Sequence, residues 1–373
     1  MVRAHRLERL LQTPARIYYK YEGASPSGSH KLNSAIAQAY YYKQAGIREL
    51  VTATGAGQWG TALAMACTMY GLRCTVFMVK CSYDQKPQRR LMMELNGARV
   101  IPSPSIATKA GESILLQDPD CPGSLSVASS EAHEYAIGGD GVCYSAGSGD
   151  NHVLLHQTVI GQEALAQFQA LDDYPDTVVA ALGAGSNFAG IAMPFYRDSA
   201  RTGRKVNLVA VEPKACPKLT RGIYAWDYHD ALGNTPMSKM YTLGHTFIPS
   251  PIHAGGLRYH GAAPVISWMY HEGLISAAAY GQLAVFEAAA AFIRSEQLIP
   301  APESAHAIRY VIDRAEQARE TNTPETILFN LSGHGLMDLG SYEKWMAGLL
   351  EDDSVAEAEV EQALAALSRS AGA

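Results

Sequence analysis

The run Thr177-Val178-Val179-Ala180-Ala181-Leu182-Gly183-Ala184-Gly185-Ser186-Asn187-Phe188 passes from an unbroken apolar stretch into a glycine turn and then into a helical pattern that continues to Tyr196. A strand buried on both faces reads as a continuous apolar run, and serine or asparagine after a glycine suits a helix start. The spacing therefore predicts a strand over 177–182 and a helix over 188–196. The same order occurs earlier in the chain. Leu50-Val51-Thr52 leads into Thr54-Gly55-Ala56-Gly57-Gln58-Trp59-Gly60, and a helix is predicted over 61–70.

Working outward, strands are predicted over 74–79, 99–102 and 206–211, and a helix over 87–96. Residues 277–295 read as one long helix. Residues 303–318 read as another, with Ala307, Ile308, Val311 and Ile312 at helical spacing. A last strand over 327–331 ends in Ser332-Gly333-His334-Gly335. Strand and helix in alternation imply an α/β fold with parallel sheets covered by helices. Ligands of such sheets bind beyond the carboxyl ends of the strands, where both glycine turns and Ser332 fall. Residues 104–150 are rich in Gly, Ser and Asp and weakly periodic, as expected of a mobile or insert-like segment. Residues 214–265 lack a period and read as active-site loops. The acidic, alanine-rich tail after Glu351 predicts a terminal helix with a frayed end.

With 373 residues, 47% of them hydrophobic, the chain can bury one large core or two adjoining ones. Its 30 basic and 36 acidic residues leave a net charge of −6 without a basic block, which argues against nucleic acid and anionic membrane as partners. The most apolar helical stretch, 277–293, is interrupted by Gln282 and Glu287 and is too short and polar to span a bilayer. The N-terminal Met1-Val2-Arg3-Ala4-His5-Arg6 has no signal-peptide core, so a cytoplasmic protein is expected. Cysteines 67, 74, 81, 121, 143 and 216 form no CxxC pair, so reduced buried thiols are expected and no metal site.

Lys31 lies in Gly28-Ser29-His30-Lys31-Leu32-Asn33, directly before a helical run over 34–44. A lysine at a helix start is ordinarily a solvated surface residue. Here it accompanies two glycine turns, each able to offer backbone N–H groups to an anion at a helix N-terminus. A desolvated lysine can form an imine. Together the three pieces describe a pyridoxal 5′-phosphate site: an amine for the Schiff base, one turn for the cofactor's phosphate and one for a substrate carboxylate. The turn at 183–188 lacks GxGxxG, which argues against a nicotinamide cofactor. Trp59 is equally readable as core packing, Glu303 as a favourable first-turn acid, and Ser332 as a turn serine.

In order along the chain stand GSHKLN from Gly28, TGAGQWG from Thr54, GAGSNFAG from Gly183, VEPKACPKLTRG from Val211, HAGGLRYHG from His253, IPAPESAHA from Ile299 and NLSGHG from Asn330. Over about residues 3–345 the chain resembles the tryptophan synthase β chains, specifically their second, stand-alone type. The resemblance implies a two-domain enzyme of pyridoxal-phosphate fold type II. Its expected units are 1–155, with a mobile segment at about 60–150, and 156–373. It implies a Schiff base on Lys31, with His30 beside the phosphate and Gly183, Ala184, Gly185, Ser186 and Asn187 around it. Thr54, Gly55, Ala56, Gly57, Gln58 and Trp59 would receive the substrate carboxylate, with Gln58 near the phenolic oxygen. Glu303 would lie by the cofactor ring and Ser332 would face its nitrogen. A neutral serine does not hold that nitrogen protonated, which suits elimination and replacement at the β-carbon.

The reaction so implied converts L-serine, through an aminoacrylate, and indole into L-tryptophan and water. A homodimer is implied too, with association to an α chain left open. Two departures stand out. Ala53 occupies the position of the family's acid/base glutamate, which puts efficient indole coupling in doubt. Met1-Val2 stands where relatives have a longer leading segment: either that segment is lacking or the start was placed late. The rivals are a related enzyme that adds another nucleophile, and a catalytically idle homologue acting as an assembly subunit. The intact Lys31 and both turns argue against the second.

Overall fold

The computed structural model describes residues 1–352 and, beyond them, 361, 365 and 367. The terminal helix expected after Glu351 falls outside the described residues. Twelve strands are found among them: β1 (Val2–Arg3), β2 (Arg16–Tyr21), β3 (Glu49–Thr54), β4 (Arg73–Val79), β5 (Arg99–Ser103), β6 (Val142–Tyr144), β7 (Thr177–Ala181), β8 (Asn207–Pro213), β9 (Ile223–Asp227), β10 (Ser238–Thr242), β11 (Ser276–Tyr280) and β12 (Thr326–Leu331). A four-stranded parallel sheet has the order β5-β4-β3-β6. A six-stranded sheet has the order β1-β2-β12-β7-β8-β11, parallel except for the β1–β2 pair. The parallel sheets under helices are those the alternating pattern predicts.

Period-two alternation divides each sheet between two cores. In the larger sheet Val178, Ala180 and Leu208 pack with Phe188, Ile191 and Phe195. Val179, Val209 and Phe329 point the other way, onto Phe292, Ile308 and Val311. In the smaller sheet Leu50, Val76 and Met78 pack with Trp59 and Leu63, while Val51, Ala53 and Phe77 pack with Ala128 and Ala132. The larger sheet takes its first two strands from the N-terminus, because β2 pairs with β12 from Arg16 opposite Thr326 to Tyr21 opposite Leu331.

Three expectations are corrected. The helix predicted over 277–295 is two elements. Ser276–Tyr280 forms edge strand β11, with Ala277 opposite Ala210, and the helix begins only at Gln282. Alanines favour a helix in isolation, but the free edge of β8 recruits them. The segment 104–150 holds the helices Lys109–Gln117 and Leu125–Ile137, as well as β6. Thr108 and Ser124 cap the two helices, their hydroxyls accepting from the Gly111 and Val127 amides. Within 214–265, expected as loops, β9 and β10 form an antiparallel hairpin. No helix of the described residues is long and apolar enough to cross a membrane.

Candidate active site

In both sheets the strand order reverses at one point, with β3 between β4 and β6, and β7 between β12 and β8. Crevices open at such points beyond the strand ends. The turn after β3 runs into the helix Gln58–Tyr70 and the turn after β7 into Ser186–Thr202. The first amides of each helix have no acceptor within it, so each turn presents a helix N-terminus, the polarity that favours an anion. Between the turns lies Gly255-Gly256. A Cβ on Gly55 would come within 2.8 Å of the Gly255 carbonyl, and one on Gly183 within 2.5 Å of the Gly256 carbonyl. Neither position has room for a side chain.

A cavity of about 320 Å³ is lined by Lys31, Ala53–Ala56, Gln58, Trp59, His133 and Tyr144 among others. A smaller one of about 50 Å³ is lined by His30, Lys31, Gln58, Gly183–Asn187, Glu303 and Ser332. Lys31, Gln58, Ala184, Ser148 and Gly256 border both, so the lysine stands at their junction.

Lys31 is the N-cap residue of the helix Leu32–Gln44. The segment leading to it is stitched to the end of β12: Ser29 bridges Gly333, and the His30 amide donates to the Ser332 carbonyl at 2.9 Å. Its Nζ lies 3.5 Å from the Gly147 carbonyl. Burial lowers the ammonium pKa to about 8, against the opposing charge of Glu303. His30 is pushed down to about 3, first by burial and then by the charge of Lys31. It is therefore neutral. Its Nδ1 donates to the Ser332 carbonyl at 3.3 Å, which leaves Nε2 to accept from the Ser186 hydroxyl at 3.3 Å.

Gly185 precedes its helix at φ 147°, a conformation side chains avoid. The Asn187 side chain serves the fold: Nδ2 donates to the Ala181 carbonyl at 2.8 Å, and Oδ1 accepts from Asn330 at 2.6 Å. Glu303 accepts from the Gly256 amide at 2.8 Å through one oxygen, while Oε2 is buried without a partner among the described residues. The Ser332 hydroxyl lies 2.7 Å from that of Ser304. Trp59 satisfies both of its readings, since its ring is buried in the core and also borders the larger cavity. Its Nε1 donates to Thr52 at 2.7 Å.

Every residue singled out from sequence borders one or both cavities except Gly57, the N-cap residue of the helix Gln58–Tyr70. Sequence reading missed the opposite wall, including Ser129, His133, Gly147, His229 and Tyr259. Of these, only Tyr259 fell in a quoted motif, the one that also holds the Gly255-Gly256 wedge. The rest come from segments without a period.

An amine at a cavity junction, an amide cradle whose Gly183 has no room for a Cβ, and a buried carboxylate oxygen without a partner among the described residues together fit pyridoxal phosphate. Residues 1–333 match the family described as pyridoxal-phosphate dependent enzyme, and the chain belongs to it. Within that class it sits with the tryptophan synthase β chains. It is 54% identical over 351 residues to "Tryptophan synthase beta chain 2" of Methanosarcina mazei, covering 94% of this chain and 79% of that one. It is 54% identical over 353 residues to the protein of the same name from Aquifex aeolicus, covering 94% and 81%. The fold is shared with a threonine deaminase from T.th. (TM-score 0.62, 18% identity, 89% of this chain and 91% of that one). It is also shared with a fungal L-serine ammonia-lyase from Rhizomucor miehei (TM-score 0.68, 14% identity, 94% and 97%). The cofactor is pyridoxal phosphate.

Proposed function

We propose that this chain joins L-serine and indole to give L-tryptophan and water. The observation that carries the reading is Lys31, which borders both cavities, with two turns nearby that each open a helix. Relatives 54% identical that bear the name tryptophan synthase β chain support the substrates.

Pyridoxal phosphate bound here supplies an electron sink for the substrate's α-carbon. The chain's residues do the rest. Lys31 would hold the cofactor through its amine and, once freed from it by the substrate, would move a proton at the α-carbon. The amides of Gly183–Asn187 hold the phosphate, and neutral His30 positions Ser186 beside it. The Ser332 hydroxyl would serve the ring nitrogen without a charge, and Glu303 would lie beside the ring. Residues Thr54–Trp59 would receive the serine carboxylate at the N-terminus of their helix, with Gln58 near the phenolic oxygen. Ala53 leaves a methyl group where the second-type β chains carry a carboxylate.

We read 1–155 and 156–373 as the two functional units, with β1 and β2 crossing to the second. The working form is read as a cytoplasmic homodimer. The test is direct. The purified protein, saturated with cofactor, is incubated with L-serine and indole and the products are weighed by mass spectrometry. Tryptophan is expected, whereas a cofactor-loaded protein that forms none would overturn the reading.

A further inference from the structure

Part of the wall of the larger cavity, which Ala53 also lines, comes from the helix Leu125–Ile137. One row of that helix, Ala128 and Ala132, packs under Ala53. The next row, Leu125, Ser129 and His133, spaced four residues apart, lines the cavity itself. His133 is only partly buried. Its ring stacks on Tyr144 at 3.8 Å and 26°, and its Nδ1 donates to the Ser129 carbonyl at 2.7 Å. With Nδ1 carrying the proton, Nε2 presents a lone pair, and among the described residues nothing donates to it.

Several other polar groups of the wall are engaged, and the His152 imidazole, which also lines it, is exposed. His229 has both nitrogens occupied, by the Tyr259 hydroxyl at 3.3 Å and the Ser238 hydroxyl at 2.9 Å. Burial pushes the Tyr144 phenol up, so it stays protonated. Asp150 is exposed, at the N-cap of Asn151–Gln157. Ser129 already lies within hydrogen-bond reach of Tyr144 and His133.

We propose that His133 Nε2 accepts the hydrogen bond of the indole N–H, and so holds and polarises the nucleophile where residue 53 supplies no carboxylate. This rests on the function proposed above. The hydroxyl leaves the serine β-carbon as water, taking up the α-proton, and indole C3 then bonds to that carbon. Positive charge gathers on the indole nitrogen, which strengthens its bond to His133. The proton then lost from C3 makes good the one removed from the α-carbon, and His133 neither gains nor loses a proton. It is a positioning residue. A site built to receive an N–H rejects an analogue without one far more strongly than an apolar pocket does.

The experiment uses the holoenzyme as His133→Leu, His133→Gln and the double variant His133→Leu/Ala53→Glu. For Leu, kcat/KM for indole should fall about 10²-fold while KM for L-serine moves less than twofold. Gln, which keeps a carbonyl acceptor, should recover part of the loss, and the restored glutamate should recover most of it. Independently of turnover, calorimetric titration without serine should show the parent preferring indole to benzothiophene, an isostere without N–H, and the Leu variant showing no preference. An unchanged preference and unchanged indole kcat/KM in the Leu variant would overturn the proposal. A parent that prefers indole yet makes no tryptophan would sink the proposed reaction and leave the His133 contact standing. If the Leu variant does not fold, the Gln variant decides: a preference for indole that is lost despite the retained acceptor overturns the proposal.

Discussion

Lys31 shows how one residue's chemistry is set by what encloses it. An ammonium drawn out of water loses solvation that one carboxylate, Glu303, does not replace, and its pKa falls to about 8. Only the neutral amine forms an imine, so capture of the cofactor by the cofactor-free protein should quicken as pH rises through that value. At pH 7 about a tenth of the amine is neutral and at pH 9 about nine tenths, a gain of roughly tenfold that then levels off. Stopped-flow mixing across that range would show it. A rate still climbing steeply above pH 9 would mean an ordinary, solvated lysine. The linkage has a definite sign. The folded pKa lies below the unfolded one, so protonating this group works against the cofactor-free fold, and the cost fades as pH rises toward the unfolded value near 10.4. Borohydride reduction of the holoenzyme followed by peptide mapping should leave the pyridoxyl group on Lys31. A label on another lysine ends that assignment.

The two turns are where single glycines decide what an element can bind. Gly183 faces the Gly256 carbonyl so closely that a methyl group would sit 2.5 Å from it, and backbone cannot rotate aside as a side chain can. Gly183→Ala should therefore push the two turns apart. Gly185→Val adds a β-branched residue at φ 147°. Both variants should lose cofactor on dialysis under conditions in which the parent keeps it, by roughly tenfold or more in affinity, and absorbance of the retained cofactor measures this. Full retention by either variant would place the phosphate elsewhere. These turns were legible in the sequence because strand, glycine and helix follow one another within a dozen residues. So was the placement of Lys31, Glu303 and Ser332 at strand or helix ends. What was not legible has physical causes. Ala277-Ala278-Ala279-Tyr280 reads as helix until the edge of β8 is known. The helix Leu125–Ile137 hides because its cavity row is Leu125, Ser129 and His133, and a part-polar face has no apolar period. Its cap Ser124, like Thr108 before the preceding helix, was an ordinary loop residue until its partner was seen.

At the scale of the whole molecule, the question is what keeps the two sheets facing each other. For the homodimer proposed above, sedimentation at micromolar protein should give about twice 40.1 kDa, a single 40.1 kDa species counting against it. Within the chain, the tie is a buried ionic cluster. Asp338, just beyond β12, takes Lys86 at 2.6 Å and Arg89 at 3.4 Å from the segment that follows β4, and all three are buried. Lys86 also donates to the His253 carbonyl at 3.0 Å, two residues before the Gly255-Gly256 wedge. Burial alone would raise the carboxyl of Asp338, but Lys86 and then Arg89 hold it below the usual carboxylate range. Removing the charge with Asp338→Asn leaves two buried cations without a counter-ion, a loss of about 3–5 kcal/mol. The pH dependence follows from the depressed pKa. The stabilisation is complete above the unfolded carboxylate value near 3.9 and is lost as pH falls through the lower folded value. Chemical denaturation at pH 7 should thus show a large gap between parent and Asp338→Asn, and the gap should narrow at acid pH as the parent's own Asp338 takes up its proton. A gap of the same size at pH 7 and at the acid limit of folding would mean that Asp338 acts through packing, and that the sheets are held together by something other than its charge.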